Sequence, residues 1–408
     1  MRSQIGLTKW LLVASLFVTA AQTAPATEVS EPRVICYFTN WSAYRSGEGK
    51  FTANDVDPNL CTHLIYAFGS FTKESKILPS DAWQDIESEG FSKFTGLKTK
   101  NPALKTMIAI GGTAEGSSTF SYIVSESSRL AEFVQNAITF LHEHNFDGLD
   151  LDWGQPGFGR GGKVQDKVNY AKLIKELRKG FEADADATKK PRLLLSVTLP
   201  TGKEFIDKGY EIPEITKAAD WMSIRGYDFV SGLENTVGLH SPLYSVSGSP
   251  NDVANVNFNV NYLIESGADK DKLVLGIPAY GRTFTLEDPA KTALGSPATG
   301  PGEKGVISGE RGVFAYYEIC GDQKDKNGGW TVVQPNPAAS GPFAFKGNQW
   351  VGYEDVGSVQ LKAEYVNQHG LGGVMFWTID LDDFHGTCHG KKNPLISAAK
   401  ETLKKNVA

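Results

Sequence analysis

FDGLDLDWGQP, residues 146–156, is the stretch on which the fold turns. Read as a β-strand, it alternates side chains between two faces and puts Asp150, Asp152 and position 154 together on one of them. Two neighbouring carboxylates on an inward face repel each other and resist losing water, so a purely structural role for them is costly. A barrel mouth, where such a face opens toward solvent at the strand's carboxyl end, accommodates them.

Working outward, seven further runs rich in Val, Ile, Leu and Tyr predict strands at residues 33–38, 63–68, 105–110, 192–198, 221–227, 273–277 and 372–377. Helical spacing fills most of the intervals. Leu130, Phe133, Val134, Ala137, Phe140 and Leu141 recur at threes and fours, as do Val168, Ala171, Ile174, Leu177 and Phe181. Eight strands alternating with helices predict an α/β fold, the (β/α)8 or TIM barrel, over residues 33–281 and 354–404. A doubly wound open sheet is the rival, and no glycine fingerprint follows the first strand to support it. The long interval between the seventh and eighth strands is rich in Gly and Pro and then in aromatic residues. It predicts an inserted α+β subdomain over residues 282–353, forming one wall of a cleft.

The 408 residues, 40% hydrophobic and 22% charged, suit a globular chain with a sizeable core. Lys and Arg number 41 against 47 Asp and Glu, a net charge of −6 with no basic blocks, which argues against nucleic acid and anionic membranes as partners. Arg2 and Lys9 precede an apolar run over residues 10–21, followed by small and polar residues, the pattern of a secretory signal peptide over residues 1–24. That run falls short of the roughly 20 residues a membrane-spanning helix needs, so no membrane anchor is expected. An extracellular location is expected instead. Four cysteines in an exported chain predict two disulfides, for which three pairings exist; the sequence gaps favour Cys36–Cys61 and Cys320–Cys388. One glycosylation sequon, Asn40-Trp41-Ser42, leaves its occupancy open.

The acidic strand resembles the signature of family 18 glycoside hydrolases, the chitinases, whose pattern runs DGxDxDWE and then Tyr-Pro. Further blocks resemble that family's core in the same order: CYFTNWSAYR at 36–45, CTHLIYAFG at 61–69, AIGG at 109–112, GIPAYGRTF at 276–284 and FWTIDLDDF at 376–384. The resemblance covers residues 33–403. It implies a reaction in which the last acidic residue, a Glu, protonates the glycosidic oxygen while the substrate's own N-acetyl carbonyl attacks the anomeric carbon. By the same resemblance Asp152 orients the acetamido group and Asp150 shares charge with it.

Here the position of the proton donor is Gly154, which has no side chain, and Gln155 replaces the family's Tyr. The flanking Trp153 and Pro156 fix the count, so no neighbour slips into the role. On the sixth strand Arg225 replaces a Met, while Tyr227 and Asp228 are retained. A guanidinium entering that mouth is expected to pair with Asp150 and Asp152 and to occupy part of the sugar site. Thr113 stands where the family places a Trp. Tyr37, Trp41, Phe68, Tyr280, Arg282 and Trp377 match family cleft positions, with Phe68 poised between core and cleft and Trp377 expected at the floor.

The resemblance therefore implies a secreted, catalytically inactive chitinase-like protein that binds chitin or N-acetylglucosamine oligosaccharides, with a protein receptor as a further candidate partner and no cofactor or metal. A weak hydrolase using Asp152 or Glu115 as acid and a protein-binding module with an occluded cleft are the alternatives. GFGRGG at 157–162 imitates a nucleotide loop but reads as a flexible one. Asp382, Asp383, His385, Cys388 and His389 crowd together in what reads as a solvated loop rather than a metal site. No separate carbohydrate-binding module is expected at the C-terminus, and no hydrolytic triad is found.

Overall fold

Eight of the strands are parallel and close on themselves. In the computed structural model, which describes residues 32–249, 251–324 and 328–405, β1 (Arg33–Thr39) pairs with β2 (His63–Phe71), to whose edge the short β3 (Ile77–Pro79) adds antiparallel. The circuit continues through β4 (Lys105–Gly111), β5 (Gly148–Asp152), β6 (Leu194–Leu199), β7 (Trp221–Ile224) and β8 (Leu273–Pro278). The last barrel strand, β15 (Gly373–Trp377), returns to β1. Helices between the strands cover the outside, making a (β/α)8 barrel. The expected signal peptide lies outside the described residues, and among those residues no helix is long and apolar enough to cross a membrane.

The strands are fully covered, as parallel strands must be when helices pack on them. Gly111 ends β4 at φ +105°, and a Cβ there would come within 2.3 Å of the Asp152 carbonyl oxygen. Only glycine allows that approach, which brings the end of β4 against the end of β5, with the Gly112 N–H donating to the Asp152 carbonyl at 2.9 Å.

The helix Ser127–Glu143 buries Leu130, Phe133, Val134, Ala137, Phe140 and Leu141, as their spacing predicts. The helix Asp166–Thr188 corrects one expectation. Val168 is 62% exposed, because the buried stripe runs through Tyr170, Ile174, Leu177 and Phe181 and turns Val168 to the opposite side. The sixth barrel strand is also shorter than expected: β7 stops at Ile224, and residues 225–228 leave it as a loop after the Arg225 N–H bonds the Leu199 carbonyl at 3.0 Å.

Between β8 and β15 the chain builds a second, antiparallel sheet from β9 (Tyr280–Leu286), β10 (Ala298–Pro301), β11 (Val313–Ala315), β12 (Thr331–Val333), β13 (Phe343–Lys346) and β14 (Gln349–Gly352). Phe284, Phe343, Trp350 and Leu286 give it a small core of its own, with Phe343 stacked on Trp350 at 5.0 Å. Both disulfides form as favoured, Cys36–Cys61 and Cys320–Cys388. The sequon is sealed. The Asn40 amide nitrogen, which a glycan would occupy, is buried and donates to Ser80 Oγ and Asp85 Oδ1, each at 3.0 Å.

Candidate functional site

At the carboxyl ends of the strands the two inward aspartates of β5 have different partners. Asp150, wholly buried, accepts from the Tyr37 hydroxyl at 2.7 Å and the Ser196 hydroxyl at 2.6 Å. Burial drives its pKa up to about 6, against the pull of those two hydrogen bonds. Asp152 is held by the Arg225 guanidinium, whose Nη2 donates to Oδ1. The expected pairing of Arg225 with both carboxylates is therefore met at Asp152 alone; Tyr37 and Ser196 already fill Asp150's coordination. Burial works against the charge on Arg225, but the Asp152 carboxylate outweighs it and holds the guanidinium firmly protonated.

Position 154 offers only backbone. A Cβ there would stand 3.6 Å and 3.8 Å from Arg225 Nη1 and Nη2, so the guanidinium borders the space a side chain would enter. The count along this segment is pinned. The buried Trp153 donates through Nε1 to Ser117 Oγ at 2.8 Å and stacks on Phe120 at 4.7 Å, while its carbonyl accepts from the Tyr210 hydroxyl at 2.8 Å. The same Ser117 hydroxyl donates to the Gln155 carbonyl at 2.9 Å.

Asp228, at φ +59°, is clasped by Arg282 through two 2.7 Å bonds and by the Tyr280 hydroxyl at 2.6 Å. Burial alone would raise its pKa, yet His240 and Arg282 hold it well below the usual carboxylate range. Tyr227 is buried beside it with no hydrogen-bond partner for its hydroxyl among the described residues, and burial raises its pKa far out of reach of proton donation.

Asp152, Arg225, Tyr227, Asp228, Tyr280 and Arg282 line a cleft of about 490 Å³ together with Trp41, Phe68, Gly111, Thr113, Ala114, Glu310, Val313, Trp377 and Leu381. A smaller chamber of about 200 Å³, bounded by Thr113, Gly154, Gln155, Pro200, Thr201, Phe205, Arg225 and Tyr227, adjoins it. Trp377, Phe68 and Trp41 form a run of rings, 6.1 Å and 6.2 Å between successive centroids, which resolves Phe68 in favour of the cleft. Tyr37 is the exception among the expected contact residues. It is 1% exposed and lies behind Asp150 and Trp377, supporting the wall without forming it. Glu115 lines neither cavity.

Glu310 and Val313, brought to the cleft by β11 and the loop before it, were not found from sequence, since no local pattern shows that a Gly/Pro-rich insertion folds back over the mouth. The cluster read as a solvated loop is corrected in part: His385 and His389 are exposed, but the two aspartates are not. Asp382 and Asp383 are fully buried, Asp382 accepting from the Ile396 N–H and Asp383 from the N–H groups of Gly386, Thr387 and Cys388. Cys320 and Cys388 lie beside Asp383, but their sulfurs are consumed by the disulfide and offer no thiolate to a metal.

The motif blocks that suggested a family are matched over the whole barrel. The sequence model of glycosyl hydrolases family 18 fits residues 33–382. The chain is 41% identical over 381 residues to Chitotriosidase-1 of Mus musculus, covering 92% of this chain and 78% of that protein. It is 39% identical over 376 residues to Chitinase-3-like protein 2 of Homo sapiens, covering 91% and 92%. Among solved structures, a Group IV chitinase of Ostrinia furnacalis in complex with allosamidin superposes with a TM-score of 0.87 at 37% identity, covering 92% of this chain and 99% of that one. Human YKL-39, described as a pseudo-chitinase with retained chitooligosaccharide binding properties, gives 0.83 at 38% identity, covering 91% and 100%. Relatives named as chitinases and one described as a pseudo-chitinase thus stand at similar identity, and on fold, motif order and extent of match the chain belongs to glycosyl hydrolases family 18.

Proposed function

We propose that this protein is a secreted, non-hydrolysing member of its family that binds chitooligosaccharides. The observation that carries this reading is the combination at the end of β5: bare backbone at Gly154 and a guanidinium bound to Asp152. Hydrolysis needs a group that gives a proton to the leaving oxygen, a contribution of about 10² to 10⁴ in rate. Among the ionisable groups around Gly154, Asp152 is tied up as an ion pair, Asp228 is held far too acidic to carry a proton, and Tyr227 holds its proton too tightly. Binding needs none of this. The rings of Trp41, Phe68 and Trp377 present apolar faces to pyranose rings, and the Tyr227 hydroxyl is available to an N-acetyl group.

The two disulfides support an oxidising, extracellular setting. The likeness to YKL-39, said to retain chitooligosaccharide binding as a pseudo-chitinase, supports the pairing of inactivity with binding. Purified protein incubated with a fluorogenic chitooligosaccharide should release no fluorophore above a buffer control, while titration calorimetry with N-acetylglucosamine oligomers should register binding. Turnover at rates typical of chitinases would end the reading, and silence in calorimetry would end its binding half.

A further inference from the structure

We propose that the smaller chamber beside Gly154 is a carboxylate receptor, so that the favoured ligand is an N-acetylglucosamine-containing saccharide carrying an acidic sugar. The proposal rests on the saccharide-binding reading above and specifies its ligand class.

The guanidinium of Arg225 has five N–H donors, and among the described residues its only side-chain partner is Asp152, bonded through Nη2. Nη1 stands 3.6 Å from where a Cβ on Gly154 would be, in the wall of the chamber. An arginine fork bridges two carboxylates readily, one on each edge, and such charge-assisted bonds are about twice as strong as neutral ones. The remaining polar side chains around the chamber all have a donor to give: Thr113, Thr201, Gln155 and Tyr227.

The carboxylate that the chain supplies is already engaged. Asp228 is the chamber's one carboxylate, and both its oxygens are held by Arg282 and Tyr280. Glu115 and Glu310 lie outside its wall. A wall whose one guanidinium keeps an unused edge and whose one carboxylate is already engaged favours a ligand that brings acceptors, and a carboxylate matches the open edge of the guanidinium. At Gly154 the backbone leaves the ligand's carboxylate the volume that a side-chain carboxyl would otherwise take.

The test compares chitotetraose, a tetrasaccharide of alternating N-acetylglucosamine and glucuronate, and sodium acetate, at matched ionic strength. Calorimetry should give a Kd for the glucuronate tetrasaccharide lower than that for chitotetraose by about tenfold, the value of one charge-assisted pair. Acetate, but not chloride, should compete. Arg225→Met should erase the preference, and Thr201→Val, remote from the Asp152 pair, should reduce it in a protein of unchanged melting temperature. Equal affinities for the two tetrasaccharides, with no acetate effect, would overturn the receptor while leaving chitooligosaccharide binding intact. Acetate binding that depends on Arg225, without either saccharide, would uphold the receptor for a free carboxylate and remove the saccharide reading. No binding of any of the three would remove both.

Discussion

Gly154 and Arg225 decide the chemistry together, and the pair predicts an outcome that neither residue would alone. Gly154 does not occupy the left-handed region, and a Cβ there meets nothing closer than 3.6 Å, so Gly154→Glu should fold. Its carboxylate, however, would lie within reach of Arg225 and be held ionised, which leaves no proton to give. Gly154→Glu should therefore remain at background in a fluorogenic chitooligosaccharide assay, whereas Gly154→Glu with Arg225→Met should show turnover at least about 10²-fold higher, the low end of what a general acid supplies. Robust hydrolysis by the single variant would show that Arg225 does not control the site. Arg225→Met by itself strands Asp152 in the interior; unfolding in urea should report a loss of about 2–3 kcal/mol, below the 3–5 typical of fully buried pairs because the guanidinium is partly exposed. Much of this was legible in the sequence, because strand periodicity and the Trp153 and Pro156 landmarks fix which residues share a face. Depth was not. Tyr37 and Trp377 both point inward and follow the paired Cys36 and Phe376 in register, yet Tyr37 is buried against Asp150 and Trp377 while Trp377 lines the cleft, a difference of packing that periodicity does not carry.

The short 3-10 helix Asn40–Tyr44 and the helical turn Trp83–Glu87 extend the site beyond the barrel mouth. In a 3-10 helix residues i and i+3 eclipse, so Trp41 and Tyr44 share a face. Tyr44 then stands 6.3 Å from Trp83, and both rings are more than half exposed. Tyr44 and Trp83 thus add a second exposed ring pair on the face that carries Trp41, which the motif blocks did not single out because exposed aromatics in loops carry no periodic signal. Such rings outside the cleft should matter only to long ligands. Trp83→Ala should leave the affinity for the N-acetylglucosamine trimer unchanged and weaken that for the hexamer by roughly tenfold, the scale of one lost ring contact. Equal losses for both lengths in calorimetry would place Trp83 among the residues that shape the fold. The barrel strands were the most legible elements, being buried apolar runs between turn residues. The sixth was overextended, since Arg225, Tyr227 and Asp228 still face the cleft after the ladder has ended.

Across the whole molecule, buried titratable groups oppose one another in their effect on stability. Burial raises Asp382 to about 7 and Asp150 to about 6, so each binds a proton more readily folded than unfolded. Their contribution is fully present below about pH 4 and is lost as pH rises through those values. Burial lowers His63 to about 4, and it does the opposite: its neutral form is native, so stability is lost as pH falls from 6.5 toward 4. From pH 4 to 6 the two raised carboxyls oppose the one lowered imidazole and outweigh it by about one proton, so the melting temperature of the wild-type protein should fall gently as pH rises. Single variants should uncover what is hidden. Asp382→Asn cannot ionise, and its one oxygen can keep the Asp383 and Leu395 N–H bonds that share Oδ1 while giving up the Ile396 bond to Oδ2. Its melting temperature relative to wild type should climb as pH rises from 5 to 7.5, by an amount corresponding to a few kcal/mol. His63→Gln should behave in the reverse sense, gaining on wild type as pH falls. Asp228 does not enter this window, because its lowered pKa confines its effect to more acidic solutions. Parallel melting curves for Asp382→Asn and wild type across the range would mean that the Asp382 carboxyl is ionised as readily inside the fold as in the unfolded chain, and that its three backbone partners outweigh the cost of its burial.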